Sequence, residues 1–386
     1  MKTNKILLGL ITAATLFVGC AADDTADVII NQGDTGNPDP SGTVIGGTLT
    51  ADITLTTGTE YSLTSALIVP EGRILTIEPG VVVKATTGSD VYVAVQQGGV
   101  IMAEGTSSNP IVFTSNSATP NPGDWGGLIV LGRAPINSVV GGDATSTSEI
   151  GGLPYGGSVS NDNSGIIRYL RIEYSGGAAD AASENNGFSF YGVGSGTTID
   201  FIQAFEGADD GVEFFGGTVN ASHISVVGAQ DDSVDWTEGF NGTLTDVYIE
   251  HRQSHDKGIE GDGFNTDIGN NANPVFWSAP SITNLTINGL GSSNENEAIR
   301  LRAGTRAIFN NVFLEGFEEG YDLDDTETGV GVQAAETSVS NITFDDITLP
   351  LKNDTGADFD ASTFFTGVDN GTGTDYNAWS AGWTRN

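Results

Sequence analysis

From residue 187 onward, short apolar stretches alternate with polar residues and are punctuated by glycine-rich and acidic turns. Aligned, "GFSFYGVGSGTTIDFIQAFEGADD" (187–210), "GVEFFGGTVNASHISVVGAQDD" (211–232) and "SVDWTEGFNGTLTDVYIEHRQSHD" (233–256) share one order: short strand, glycine turn, longer alternating strand, acidic turn. The period is 22–24 residues. Further units begin at "KGIEGDG" (257) and "EAIRLRAG" (297), with a degenerate one at "YDLDD" (321). A leucine-rich repeat has a similar period, but no Leu-x-x-Leu-x-Leu frame recurs. Several short strands per repeat, joined by Gly, Asn and Asp turns, predict an all-β, right-handed parallel β-helix with coils of about 22–24 residues. The first half fits the same pattern in "ALIVPEGRILTIEPGVVVKA", "VYVAVQQGGVIMAEGTSSNPIVFTS" and "GDWGGLIVLGRAPIN".

Composition agrees. With 54 Gly among 386 residues and 38% hydrophobic content, the chain can bury a large core but is too rich in turn formers for helix bundles. Its 14 Lys+Arg stand against 50 Asp+Glu, a formal net charge of -36, which excludes a nucleic-acid-binding role.

The start, "MKTNKILLGLITAATLFVGC", places Lys2 and Lys5 before an apolar run that ends at Gly19-Cys20. This reads as a signal peptide (1–19) rather than a spanning helix. Cys20 is the chain's only cysteine and resembles the lipidated residue of a bacterial lipobox, although Phe17 stands where leucine is more usual. More than one acyl chain would anchor the protein stably. The acidic "AADDTAD" behind it resembles a surface-export tag. Residues 20–44 read as a flexible acidic tether, with a reach on the order of 25–30 Å. The β-helix is expected over 45–350 and a C-terminal cap segment over 351–386.

The segments "LTIEPGVVVKA", "GGVIMAEGTSSNPIVFTS", "GDWGGLIVLGRAPIN", "NSGIIRYLRIEYSGG", "GVGSGTTIDFIQA", "DDGVEFFGGTVNA" and "NAWSAGWT" cover most of 60–385. They resemble a family of Bacteroidota surface lipoproteins with a predicted β-helical fold. The resemblance implies the fold and an address on the outer face of the outer membrane, and no established reaction. The label "multidrug transporter" sometimes attached to that family does not fit a sequence with no apolar span after its signal.

The repeats also set out a charge pattern. Successive coils stack about 4.8 Å apart, so equal positions form ladders. If Val212, Val234, Ile259, Ile299 and Tyr321 point inward, then Glu213, Asp235, Glu260, Arg300 and Asp322 point outward in one row. The preceding turns supply Asp209 and Asp210, Asp231 and Asp232, Asp256, Glu295 and Glu297, and Glu318 and Glu319. Calcium takes six to eight oxygens in flexible geometry, which makes Asp209, Asp210, Glu213, Asp231, Asp232, Asp235, Glu260 and Asp262 candidate ligands. The alternative is a solvated acidic face that serves solubility. No organic cofactor is expected.

The unit at 257–296 is longer than the rest, with its surplus in "DGFNTDIGNNANPVFWSAP" (262–280). That loop brings Phe264, Phe276 and Trp277 near Glu260, Asp262 and Asp267, with His251, His255, Arg252 and Lys257 just upstream. Phe264, Trp277, His255 and Glu260 are candidate sugar-binding residues; the aromatics could equally pin the loop to the solenoid. The favoured function is a surface lipoprotein that binds an extracellular ligand, glycan or calcium or both. A calcium-dependent polysaccharide lyase is the enzymatic alternative, with Lys257 as base and Arg300 or Arg302 assisting. A glycosidase needs paired carboxylates. "NTD" (265–267) and "QDD" (230–232) resemble polygalacturonase motifs, but in reversed order and without a Gly-His-Gly counterpart. An accessory role beside an outer-membrane transporter is a third reading.

Overall fold

A computed structural model describes residues 43–138, 145–179, 183–253, 255–265, 274–294 and 296–386. The signal, Cys20, most of the tether, Asp267 and Glu295 lie outside the described residues.

Among the described residues, 22 strands form one parallel ladder system in which strands pair with their equivalents in the next coil, the signature of a parallel β-helix. One face runs Leu128–Leu131, Phe188–Tyr191, Val212–Phe215, Val234–Thr237, Ile259–Asp262 and Glu297–Arg302, each parallel to the next. A second face runs Gly165–Glu173, Thr198–Phe205, Asn220–Val227, Thr243–Glu250, Ser281–Asn288 and Ile308–Leu323. Val212, Val234, Ile259, Ile299 and Tyr321 stand in register and are buried to 0–1% exposure, so the expected inward row holds. Phe190 stacks on Phe214 at 5.3 Å and Phe214 on Phe240 at 4.4 Å. Burying such a side chain contributes about 1.5–3 kcal/mol.

The second face turns a corner at one residue per coil. Tyr169, Phe201, His223, Asp246, Asn284 and Asn311 all take positive φ, between 48° and 61°. Asn and Asp tolerate this left-handed conformation better than most residues. Here they also bond along the stack: Asn311 Nδ2 donates to Asn284 Oδ1 (2.8 Å), and Asn284 Nδ2 to Asp246 Oδ1 (3.0 Å). At the other end of the row the corners are aromatic, with Tyr169 on Phe201 at 4.2 Å and Phe201 on His223 at 3.9 Å.

Three features depart from the expected plan. A second excursion leaves the solenoid between Leu131 and Gly165 and carries the only antiparallel strand pair among the described residues, Thr145–Thr147 with Pro154–Gly156. It covers outward side chains of the first face, forming a second apolar cluster with Tyr92, Ile129, Leu131, Tyr155, Tyr191 and Phe215. The solenoid also continues past 350, since Ser338–Asn353 is one strand and pairs with Phe365–Val368. Finally, the last residues do not close an end. They run back along the side: Trp383 meets Tyr169 and Phe201 edge-on, Tyr376 stacks on Tyr248 at 3.7 Å, and Arg385 pairs with Glu173 at 2.9 Å.

Candidate functional site

The outward row of the first face is continuous over six rungs: Ser189, Glu213, Asp235, Glu260, Arg300 and Asp322 are successive register partners, and Lys352 follows Asp322. Beside it runs a turn row in which each carboxylate accepts from the next coil's backbone. Asp210 Oδ1 takes the Asp232 N–H at 2.9 Å, and Asp232 Oδ1 takes the Lys257 N–H at 2.8 Å. Extending the strand register by two residues puts Asp210, Asp232 and Lys257 in line, with Asp209, Asp231 and Asp256 alongside.

Several of these groups are not on a solvated face. Asp209, Asp210, Asp232, Glu260 and Asp262 are 5–8% exposed, and Glu149 from the excursion and Asn265 from the loop after Asp262 line the same cleft. The walls are tied together at Glu238, whose Oε2 accepts from Tyr155 Oη at 2.5 Å and whose Oε1 accepts from Asn265 Nδ2 at 3.1 Å. Asn137 of the first wall donates to Gly263 O (2.8 Å) and Phe276 O (2.7 Å). Between the walls lies a cleft of about 260 Å³, lined, among the described residues, by ten carboxylates and one guanidinium, Arg302; Glu149 and Glu184 stand at its rim, and Asn186, Thr237 and Asn265 add neutral polar groups.

Among the described residues, five triplets of carboxylates bring oxygens within 4.8 Å of one another. At that separation two unit charges repel by about 3 kcal/mol at an effective dielectric near 20. Burial, then the charges of Glu184 and Asp231, push the Asp209 carboxyl up to about 8. Burial and then like charges also raise Asp210, Glu213 and Asp235 well above the usual carboxylate range; the leading like charge is Asp209 for the first, Asp235 for the second and Glu260 for the third.

The triplets divide into two kinds. In Asp231–Asp232–Asp256 and Asp232–Asp235–Glu260 the Lys257 ammonium lies 3.6 Å from Asp232, 2.6 Å from Asp256 and 3.1 Å from Glu260. In Asp322–Asp324–Asp354 the Lys352 ammonium lies 2.9 Å from Asp322 and 3.6 Å from Asp354. Arg302 bridges Glu260 and Asp262, and Arg300 binds Asp324 through Nε and Nη2. Among the described residues, Asp209–Asp210–Asp231 and Asp210–Glu213–Asp235 have no lysine or arginine within ion-pair distance. Asp235 Oδ1 and Thr237 Oγ1, both buried and both on residues that line the cleft, have no hydrogen-bond partner. The donor set of this half, all oxygen, suits a hard cation such as calcium.

The structure therefore brings together all eight carboxylates proposed as metal ligands, but Asp232, Glu260 and Asp262 are already engaged by the chain's own cations. Lys257 does not fit the role of a base. Burial by itself would lower its pKa, but Asp232 and Glu260 override that and raise it, so the amine stays protonated. Arg300 is likewise held by Asp324 as an ion pair. Of the four residues proposed for sugar binding, Glu260 alone lines the acidic cleft. Phe264 packs on Trp277 at 5.9 Å, the Arg306 guanidinium lies 5.1 Å over Trp277, and His255 stacks on His251 at 4.7 Å; none of Phe264, Trp277 and His255 lines the cleft. The Arg306 contact holds Trp277, and with it the loop, to the next coil. Spacing did not point to Glu149, Glu184, Asn186 or the Tyr155–Glu238 link. Thr237, two residues beyond Asp235 on the same side of its strand, was within reach of the alternation argument.

A family model described as pectate-lyase-like beta helix domain matches residues 47–384. No curated protein sequence matches the chain. Among solved structures, the catalytic unit of a thermostable GH87 alpha-1,3-glucanase from Streptomyces thermodiastaticus strain HF3-3 is similar at 12% identity and a TM-score of 0.29. That match covers 85% of this chain and about 65% of the glucanase unit's length.

Proposed function

The chain belongs to the pectate-lyase-like β-helix domain family, and on that scaffold we propose that the walled acidic cleft is a calcium site through which an extracellular glycan is bound. The carrying observation is the division among the triplets: three are supplied with a lysine by the chain itself, and the two built from Asp209, Asp210, Glu213, Asp231 and Asp235 are not. Buried carboxylates this close need a cation or a proton, and a cation satisfies the orphaned Asp235 and Thr237 oxygens as well. The ion would supply coordination positions for ligand oxygens, which the cleft's own negative field would otherwise repel. A binder is favoured over a lyase because Lys257 and Arg300 are both fixed as counter-ions.

Calorimetric titration with calcium, with magnesium as the control, tests the reading. Wild type is expected to bind calcium in preference, and Asp235→Asn to lose most of that affinity. Metal bound only by the folded state stabilises it by RT ln(1 + [L]/Kd), about 2.7 kcal/mol at a hundredfold excess over Kd. Equal responses to calcium, magnesium and matched sodium would reduce the cleft to general charge screening.

The proposed address rests on the sequence alone. A lipid anchor at Cys20 and a short tether would display the solenoid on the outer face of an outer membrane, where an accessory role beside a transporter is open to it. Cys20→Ser is expected to shift the protein from the membrane fraction to the soluble one; unchanged fractionation would remove the anchor.

A further inference from the structure

We propose that the Lys257 ammonium is a resident counter-ion, standing where the repeat geometry would otherwise seat a divalent cation, and that it sets the C-terminal limit of the cation cleft. The proposal rests on the cleft being a cation site, and deepens that reading by naming what bounds it.

The triplets are not independent arrangements. Advancing Asp210–Glu213–Asp235 by one coil, along the strand register and the turn row, gives Asp232–Asp235–Glu260. The same step carries Asp209–Asp210–Asp231 onto Asp231–Asp232–Asp256. The backbone supports the equivalence, because the turn bond from Asp232 N to Asp210 Oδ1 recurs from Lys257 N to Asp232 Oδ1. The two pairs differ in what fills them. In the advanced pair the Lys257 Nζ sits among Asp232, Asp256 and Glu260 at 2.6–3.6 Å. In the preceding pair no lysine or arginine of the described residues lies within ion-pair distance, and among those residues the Asp235 Oδ1 and Thr237 Oγ1 atoms are buried without a hydrogen-bond partner, Thr237 at 6% exposure.

The turn row explains the switch. It reads Asp210, Asp232, Lys257, a charge reversal at the third member. Lys257 thus marks the location that this geometry favours for positive charge, and by filling it closes the ladder to ions on that side. Arg302, bound to Glu260 and Asp262, extends the same closure across the strand.

The test is calcium stoichiometry, measured by metal analysis after equilibrium dialysis and by calorimetry, on the full chain. Lys257→Met keeps the stem and the backbone donor while removing the charge; Lys257→Arg keeps the charge. The methionine variant is expected to bind one more equivalent of calcium than wild type, to melt lower than wild type in chelator, and to gain more from calcium. Lys257→Arg should keep the wild-type stoichiometry. If Lys257→Met is folded by circular dichroism and binds no more calcium than wild type, the proposal is overturned while the cleft reading stands. If wild type binds none but Lys257→Met does, the cleft reading falls and the Lys257 assignment survives. Should the methionine variant fail to fold, Lys257→Asn asks the same question: folding that requires calcium supports the proposal, and failure to fold with or without calcium overturns it.

Discussion

The outward ladder of the first face has two halves that share a backbone and differ in how their charge is met. From Glu260 to Lys352 the acids interleave with Lys257, Arg302, Arg300 and Lys352, so that half carries its own counter-ions as folded. Asp209, Asp210, Glu213, Asp231 and Asp235 have no such partner within ion-pair distance among the described residues, and the Asn186 amide donates to the Glu213 carboxylate at 2.6 Å. The lesson concerns what a repeat can do. Register fixes where charges fall, and single substitutions within one row, Asp to Lys or Glu to Arg, decide whether a stretch is structural or open to ions.

Removing a cation from the neutralised half should have the largest effect. Arg302→Met leaves Glu260 and Asp262, both nearly buried, without their guanidinium, and breaking a buried pair costs about 3–5 kcal/mol. Because Arg302 is itself 31% exposed, the lower end of that range is expected, read as a fall in denaturation midpoint in chelator. A loss under 1 kcal/mol would mean that solvent already screens this half.

The next contrast is in pH. In the open half the folded-state pKa of Asp209 is raised to about 8, and those of Asp210, Glu213 and Asp235 are raised as well. The folded state then binds more protons than the unfolded one, so stability falls as pH rises from the unfolded carboxylate value near 4 toward 8. In chelator the melting temperature should drop across that window; in calcium, which competes with protons, the drop should flatten. Parallel curves with and without calcium would show that the metal does not contact these groups.

The smallest effect is expected where the sequence placed a sugar site. Phe264→Ala and His255→Ala should leave calcium affinity within about twofold of wild type, because neither ring lines the cleft. A tenfold loss in either would return the insertion to the site.

What could be read in advance follows the repeat. The row Glu213, Asp235, Glu260, Arg300, Asp322 needed only the period and the alternation of strand faces, and it stands in register as expected. Its burial could not be read the same way, because the wall over it comes from residues 132–164, which sit outside the period. One trace of that wall was present: "LIVL" at 128–131 does not alternate, and a continuous apolar run means a strand buried on both faces. The positions of Phe264 and Trp277 depended on how a long loop returns to the solenoid, for which local pattern carries no information.

The returning C-terminal segment bears on the order in which the molecule can be completed. Gln203 bonds to Arg385 through both its amide nitrogen and its oxygen, and Arg171 donates to the Trp383 carbonyl at 2.5 Å, contacts that span 182 and 212 residues. Coils can stack on their neighbours as each is made, but the aromatic corners at Tyr169, Phe201 and His223 stay bare until residues 376–385 have arrived. Contacts of such long sequence separation form late and slowly. A chain cut short before Trp379 would therefore keep a stacked solenoid while exposing a sticky flank, a ready signal by which an unfinished copy could be told from a finished one.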